Sequence, residues 1–132
     1  MNFKIYVIGN KIDKFFVDAI KEYEKRLGRY CKIELLQLKS EELLLKKLSD
    51  KSYKILVSID KKSISSEELA SKISSLGLSG TSDISIIIGA DIAHDDTLTI
   101  SPMSMDLGLT TTIVFEQIYR SYRIINNQAY HK

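Results

Sequence analysis

The C-terminal stretch Leu107–Lys132, LGLTTTIVFEQIYRSYRIINNQAYHK, decides how the rest of the chain is organised. Its apolar residues recur at helical spacing in two adjacent stripes, one formed by Ile113, Val114, Ile118, Tyr122 and Ile125 and the other by Phe115 and Tyr119. A helix that is apolar around so much of its circumference is expected to be mostly buried. The pattern therefore predicts a long last helix that packs in the core or against another subunit.

The tail after this helix is polar and contains neither glycine nor proline. It runs from Asn127 to a terminal Tyr130-His131-Lys132. Such a sequence directly after a buried helix indicates a chain end that is held in place. A frayed terminus is an equally good interpretation of these residues alone.

Upstream of this stretch, runs rich in β-branched residues alternate with segments of helical periodicity. Strands are predicted at 3–8, 31–38, 53–60, 83–88 and, interrupted by Pro102, 98–105. Helices are predicted at 12–27, 40–48 and 65–76, before the C-terminal helix. This alternation predicts an α/β fold with a mostly parallel sheet and helices on both faces. Since no linker or internal repeat interrupts it, a single domain spanning 1–132 is expected.

Composition narrows the possible classes of protein. Nineteen basic and seventeen acidic residues give a net charge of +2, which is too small to indicate nucleic-acid binding by itself. No apolar run approaches the roughly 20 residues needed to cross a bilayer, so a cytoplasmic protein without membrane association is predicted. The single cysteine, Cys31, excludes an internal disulfide and a multi-cysteine metal site.

Motifs for several common chemistries are absent from the sequence. There is no G-x-x-x-x-G-K-[ST], no G-x-G-x-x-G and no G-x-S-x-G, which disfavours P-loop enzymes, dinucleotide-binding dehydrogenases and serine hydrolases. His94 lies among Asp91, Asp95 and Asp96 but has no second histidine nearby, so no metal site is predicted. Asp60 follows the third strand, where open α/β sheets place ligands, but a lone aspartate there is more often a turn former.

Several segments together carry a family resemblance. They are Glu116–Arg120 (EQIYR), Asn127, Tyr130–Lys132, Gly9 after the first strand, 22–27 (EYEKRL) and 86–89 (IIIG). Through them the chain resembles the pseudouridine methyltransferases of the ribosomal large subunit. These belong to the SPOUT superfamily of trefoil-knotted methyltransferases, and the resemblance covers nearly the whole chain.

The resemblance implies a fold, a cofactor and partners. The expected fold ends in a trefoil knot, through which the last helix is threaded, and the expected assembly is a homodimer with the first and last helices at its interface. The expected cofactor is S-adenosyl-L-methionine, and the expected partner is ribosomal RNA or the ribosome. The residues that match the family's cofactor site are Val57, Gly89, Ala90, Ser101, Pro102, Met103, Ser104, Met105 and Asp106.

The resemblance also implies catalytic roles near the C-terminus. Tyr130 and His131 match a tail that positions the target base and handles its proton. From their spacing alone, Arg120 and Arg123, three residues apart on one face of the last helix, are candidates for contact with RNA phosphate. Salt bridges with Glu116 or Glu22 at a subunit interface are an equally good interpretation of the two arginines.

The middle of the chain departs from the family pattern. The family's Gly-Gly-x-x-Gly reads Gly89-Ala-Asp-Ile-Ala93, and a side chain at Ala90 would be costly if the backbone there had a positive φ. The helix that follows in the family is missing or reduced. Asp106-Leu107 stands in place of the family's Pro-His, and Thr111 in place of its arginine.

These departures leave two hypotheses open. The first is an active S-adenosylmethionine-dependent methyltransferase that modifies a pseudouridine in large-subunit ribosomal RNA. The second is a divergent homologue without catalysis that acts as an RNA- or ribosome-binding module. The intact C-terminal signature favours the first, and the altered region 89–112 favours the second.

Overall fold

The computed structural model describes residues 1–131, so Lys132, the last residue of the predicted tail signature, lies outside the described residues. The elements in chain order are β1 (Asn2–Ile8), α1 (Lys14–Leu27), β2 (Lys32–Leu38), α2 (Glu41–Lys47), β3 (Tyr53–Val57), α3 (Ser66–Leu78), β4 (Asp83–Ile88), β5 (Asp96–Leu98) and α4 (Leu107–Ile125). The strands form one sheet in the order β2-β1-β4-β3-β5, and every neighbouring pair is parallel. The predicted α/β class with a parallel sheet is confirmed.

The two central strands, β1 and β4, are apolar on both sides because the sheet is covered on both faces. Phe3, Ile5 and Val7 of β1 join the larger core cluster, which also contains residues of α1, α3 and α4. Tyr6 and Ile8 belong to the second cluster, together with Leu44 of α2. Three helices therefore cover one face of the sheet, and the short helix α2 covers the other.

Helix α4 lies between α1 and α3 and packs against both. Val114, Phe115 and Ile118 are at most 1% exposed, which agrees with the burial predicted from the two apolar stripes. The helix approaches α1 so closely at Gly108 that an added Cβ would lie 2.4 Å from Cδ2 of Phe16. Glycine at this position allows the first turns of the two helices to meet.

The prediction for the last strand was wrong in position. Strand β5 comprises Asp96–Leu98, whereas residues 99–106 form no regular structure. Pro102 cannot donate a backbone hydrogen bond, which disfavours a strand through this segment. The segment instead forms an extended loop that leads from the sheet edge to the start of α4.

Candidate functional site

A cavity of about 640 Å³ opens at the carboxyl ends of β3 and β4, beside the first turn of α4. Its wall consists of Leu56, Val57, Ser58, Ile59, Asp60, Lys61, Ile88, Gly89, Ala90, Asp91, His94, Thr97, Ile100, Ser101, Met103, Ser104, Met105, Leu107 and Thr110. The carboxyl edge of a parallel sheet is where α/β proteins bind ligands, because the strand ends and following loops converge there.

Most of the predicted cofactor residues meet in this wall. They are Val57, Gly89, Ala90, Ser101, Met103, Ser104 and Met105. The other two, Pro102 and Asp106, are not among the lining residues. The Asp106 carboxylate instead caps α4, since its Oδ1 accepts from the backbone N–H groups of Gly108 at 2.8 Å and Leu109 at 3.4 Å. An aspartate at this position stabilises the helix N-terminus.

Gly89 has a backbone conformation that other residues rarely adopt. Its φ is +89°, and a Cβ added there would lie 2.3 Å from the carbonyl oxygen of Ile8 and 3.2 Å from Cδ1 of Leu107. The end of β4 therefore lies against the end of β1 and against α4 without room for a side chain. Because Gly89 is exposed on the cavity wall, its backbone is open to a ligand.

The structure removes the conformational objection to Ala90. Asn127 is the only non-glycine residue with a positive φ in the described part of the chain, so Ala90 has an ordinary backbone conformation. Ala90 is partly buried against the second core cluster and also borders the cavity. The positive φ that would have made a side chain costly at this position is therefore not present.

Charged side chains that the sequence prediction did not assign to the site also line the cavity. They are Asp60 and Lys61 from the loop after β3, and Asp91 and His94 from the loop after β4. The sequence signal for them is their position at or shortly after the ends of the third and fourth predicted strands, because parallel strands that are neighbours end at the same edge. The cavity thus combines apolar walls with two carboxylates, an ammonium and an imidazole.

The carboxylates beside His94 along the chain do not gather around it. Asp95 Oδ2 accepts from the backbone N–H of Lys54 at 2.8 Å, and Asp96 pairs with Lys72 at 2.6 Å. No group of three or more candidate metal-binding side chains occurs within residues 1–131.

The Cys31 thiol lies outside the cavity, and burial raises its pKa to about 11.

The C-terminal tail folds back onto α4 instead of reaching the cavity. Tyr130 donates from its hydroxyl to Oε2 of Glu116 at 2.8 Å, and Arg120 Nε donates to the same oxygen at 3.1 Å. The Arg120 guanidinium also lies 4.8 Å from the centre of the Tyr130 ring. Burial, assisted by hydrogen bonds to Tyr23 and Glu116, raises the pKa of Tyr130, so its hydroxyl stays protonated and can donate.

His131 is held at both ring nitrogens. Its Nδ1 lies 3.0 Å from Nη1 of Arg120, and its Nε2 contacts Oε1 of Glu67 at the start of α3. Arginine can only donate, so Nδ1 accepts and Nε2 carries the proton that faces the carboxylate. The bond to His131 is the main cause that lowers the pKa of Glu67.

Arg123 fastens the turn that precedes these residues. Its Nε and Nη2 donate to the carbonyl oxygen of Ala129 at 3.2 and 2.6 Å, and its Nη1 donates to the Tyr30 hydroxyl at 3.1 Å. The turn itself needs Asn127 at φ +53°, with the N–H of Gln128 bonded to the carbonyl of Arg123 at 2.8 Å. Asparagine tolerates this left-handed conformation, which ends α4 as glycine often does. These hydrogen bonds give the tail a defined conformation, so the chain end is not frayed.

Within one chain, the predicted catalytic residues and the predicted cofactor residues lie apart. Thr110 also borders the cavity, and Arg120 lies ten residues further along α4, which corresponds to about 15 Å of helix. None of the lining residues comes from the part of the tail that the structure describes. Arg120 pairs with Glu116 of its own helix at 3.0 Å, and Arg123 bonds to Tyr30 and to the carbonyl of Ala129, so both guanidinium groups have partners within the chain.

Comparisons with known proteins agree on one family. A family described as "Predicted SPOUT methyltransferase" matches residues 1–131. The chain is 53% identical over 133 residues to "Ribosomal RNA large subunit methyltransferase H 1" of Thermoanaerobacter sp. (strain X514), with all of both chains covered. It is 36% identical over 159 residues to "Putative ribosomal RNA large subunit methyltransferase H" of Methanococcus maripaludis (strain C5 / ATCC BAA-1333), again with full coverage of both. It is 35% identical over 159 residues to "Ribosomal RNA large subunit methyltransferase H" of Clostridioides difficile (strain 630), with all of both chains covered.

The alignment lengths distinguish two forms of these proteins. An alignment of 159 positions contains at least 27 that a chain of 132 residues cannot fill. The Thermoanaerobacter relative aligns over 133 positions and is fully covered, so it is equally short. The short length of this chain is thus shared with a relative that is named as a methyltransferase. None of the described helices is both long and apolar enough to cross a bilayer.

Proposed function

The chain belongs to the SPOUT methyltransferase family, and on this premise we propose that it transfers a methyl group from S-adenosyl-L-methionine to a pseudouridine of large-subunit ribosomal RNA. The observation that carries the proposal is the cavity, whose wall contains seven residues that match the family's cofactor site. The names of the relatives support the ribosomal substrate, since they align with this chain over their full lengths.

The cavity suits this cofactor in size and chemistry. About 640 Å³ lies within the usual range of roughly 300–1,000 Å³ for small-molecule sites. Apolar side chains such as Leu56 and Ile100 offer contacts for an adenine ring, and the exposed backbone of Gly89 offers hydrogen bonds. Asp60 and Asp91 provide negative charge for a cationic ligand. The cofactor supplies a methyl group that its sulfonium has already activated, so the protein has to align the acceptor and remove a proton.

The position of the tail supports a homodimer as the working form. Tyr130, His131 and Arg120 are the residues proposed for base positioning and proton handling, but none of them lines the cavity of its own chain, and Arg120 lies about 15 Å along α4 from Thr110 in the cavity wall. In a two-fold dimer with antiparallel α4 helices, the tail of one subunit would approach the cavity of the other. Phe15 and Leu109, which are 65% and 39% exposed on the first turns of α1 and α4, supply apolar surface for such an interface.

Three further attributes belong to the same proposal. The last helix is threaded through a trefoil knot, whose crossing involves the loop 99–106 that leads into α4. The protein acts in the cytoplasm, where ribosomes are found. Its RNA substrate is presented by the ribosome, because the net charge of +2 gives a single chain little general affinity for nucleic acid.

Calorimetric titration of the purified protein with S-adenosylmethionine tests the proposal first. We expect a dissociation constant in the micromolar range, which corresponds to about −8 kcal/mol. The same preparation should then methylate a pseudouridine in ribosomes that lack the modification, as read by mass spectrometry of the RNA. No cofactor binding, with or without ribosomes, would refute the methyltransferase and favour a non-catalytic RNA- or ribosome-binding module.

A further inference from the structure

The chain contains two histidines, and the structure places them in opposite situations. Both ring nitrogens of His131 are occupied, by Arg120 and by Glu67. His94 is exposed on the cavity wall and uses only Nδ1, which lies 2.6 Å from the carbonyl oxygen of Ile92. Its Nε2 has no hydrogen-bond partner among residues 1–131.

The contact with Ile92 determines the tautomer of His94. A carbonyl oxygen can only accept a hydrogen bond, so Nδ1 must carry the proton. In the neutral ring this leaves a lone pair on Nε2. The short loop after Gly89 thus holds an imidazole on the cavity wall with its basic nitrogen unoccupied. Leu107 stands in the family's histidine position, and His94 places an imidazole in the wall of the same cavity.

The proposed reaction requires such a group. A ring nitrogen of pseudouridine that accepts a methyl group must lose its hydrogen, and a base within reach of the cofactor cavity assists that loss. From these contacts we propose that His94 is the proton acceptor of the methyl transfer, a role that rests on the proposed function. In this proposal Tyr130, His131 and Arg120 keep the role of positioning the base, and the proton handling assigned to them above passes to Nε2 of His94.

The charges and bonds balance in this step. The acceptor nitrogen forms its new bond to the methyl carbon as the carbon–sulfur bond of the donor breaks, and sulfur keeps that electron pair. The nitrogen–hydrogen bond breaks, nitrogen keeps its electrons, and the proton passes to Nε2 of His94. One positive charge is lost from the donor and one appears on the imidazole. Asp60 and Asp91 line the same cavity and stabilise that cation, whereas Lys61 in the same wall opposes it.

The tautomer can be tested without any activity measurement. Long-range proton–nitrogen correlation spectra of the His131→Gln variant, recorded at pH 8.5, report the one remaining ring. We expect the protonated nitrogen to be Nδ1 and the unprotonated nitrogen to be Nε2. A ring protonated at Nε2 would overturn the proposal, because that nitrogen could not accept a proton.

Substitutions at His94 test the role itself. His94→Asn retains a donor for the carbonyl of Ile92 but has no base, and His94→Gln retains polarity near Nε2. Both should bind S-adenosylmethionine within about threefold of the unchanged protein, while single-turnover methyl transfer should fall about 100-fold or more. His94→Ala should lose as much activity and regain part of it in free imidazole, a rescue that a purely structural role would not produce.

The outcomes separate this inference from the proposed function. If the unchanged protein methylates ribosomes and the His94→Asn and His94→Gln variants do so within threefold of its rate, His94 is not the acceptor and the methyltransferase stands. An activity loss in His94→Ala that imidazole does not reverse would also overturn the role. If the unchanged protein neither binds the cofactor nor methylates ribosomes, the proposed function fails, and the inference fails with it.

Discussion

The cavity at the sheet edge and the folded tail differ in how their polar groups are used. In the tail, the side chains of Arg120, Arg123, Tyr130 and His131 all bond to other groups of the same chain. In the cavity, His94 uses one ring nitrogen for a local backbone contact and leaves the other open. Buried polar groups are normally paired, so a densely bonded cluster indicates structure, whereas open groups on a concave wall indicate a binding site.

This difference changes what the sequence of each region indicates about function. The tail carries the most specific part of the family signature, yet in a single chain it serves to fasten the end of α4 to α3 and to Tyr30. The cavity lies in the region that departs most from the family pattern, yet it brings together most of the expected cofactor residues. A sequence departure therefore does not by itself indicate a lost site.

The largest effect is expected where the cavity wall depends on backbone conformation. Gly89→Ala should destabilise the protein by about 3 kcal/mol or more, because a Cβ would meet the Ile8 carbonyl at 2.3 Å and the left-handed backbone is strained for alanine. Gly80→Ala is the matched control, since Gly80 has φ +85° but no atom within 4 Å of its added Cβ. It should cost about 1 kcal/mol. Urea unfolding measures both, and equal losses would mean that close packing at Gly89 is unimportant.

An intermediate effect is expected in the tail. Arg123→Met should lower the free energy of unfolding by about 1–2 kcal/mol, because the carbonyl of Ala129 loses two donors and Tyr30 loses one. Amide exchange at residues 128–131 should accelerate. Arg26→Met removes an exposed ion pair with Glu22 and should change stability by no more than about 0.5 kcal/mol. Unchanged exchange in the tail of Arg123→Met would show that other contacts hold it.

The smallest effect concerns acid pH. The pKa of Glu67 is lowered in the folded chain, mainly by its hydrogen bond to His131, so this contact stabilises the tail at neutral pH. A lowered carboxyl pKa means that the stabilisation is lost as the pH falls through the folded-state value. Ring resonances of Tyr130 should therefore shift at acid pH, and Glu67→Gln should remove that shift.

Glu68→Gln is the control for the acid transition. Glu68 belongs to the same first turn of α3, and its pKa is lowered by the backbone and side chain of Ser65 instead of by the tail. Its substitution should weaken the capping of α3 and leave the pH dependence of the Tyr130 resonances in place. A transition that Glu67→Gln leaves intact would assign it to another group.

Much of the fold could be predicted because its signals are local. The capping box of Ser65 and Glu68 and the cap of Ser40 involve residues three apart, and the structure contains both. The position of β5 was missed because a three-residue edge strand has too few residues to show alternation. The cavity residues were found through the family resemblance, whereas Asp60, Lys61 and His94 required knowledge of which strand ends are neighbours.

The sequence by itself determined the alternation of strands and helices, the burial of α4 and the membership of a methyltransferase family. Periodicity, capping residues and motifs involve residues that are close together in sequence, so they can be recognised without the tertiary structure. Only the tertiary structure decided which polar groups are occupied. Tyr30 meets Arg123, and Glu67 meets His131, across separations of 93 and 64 residues. Such contacts depend on how helices pack on the sheet, and that packing left His131 bonded in the tail and His94 open at the cavity.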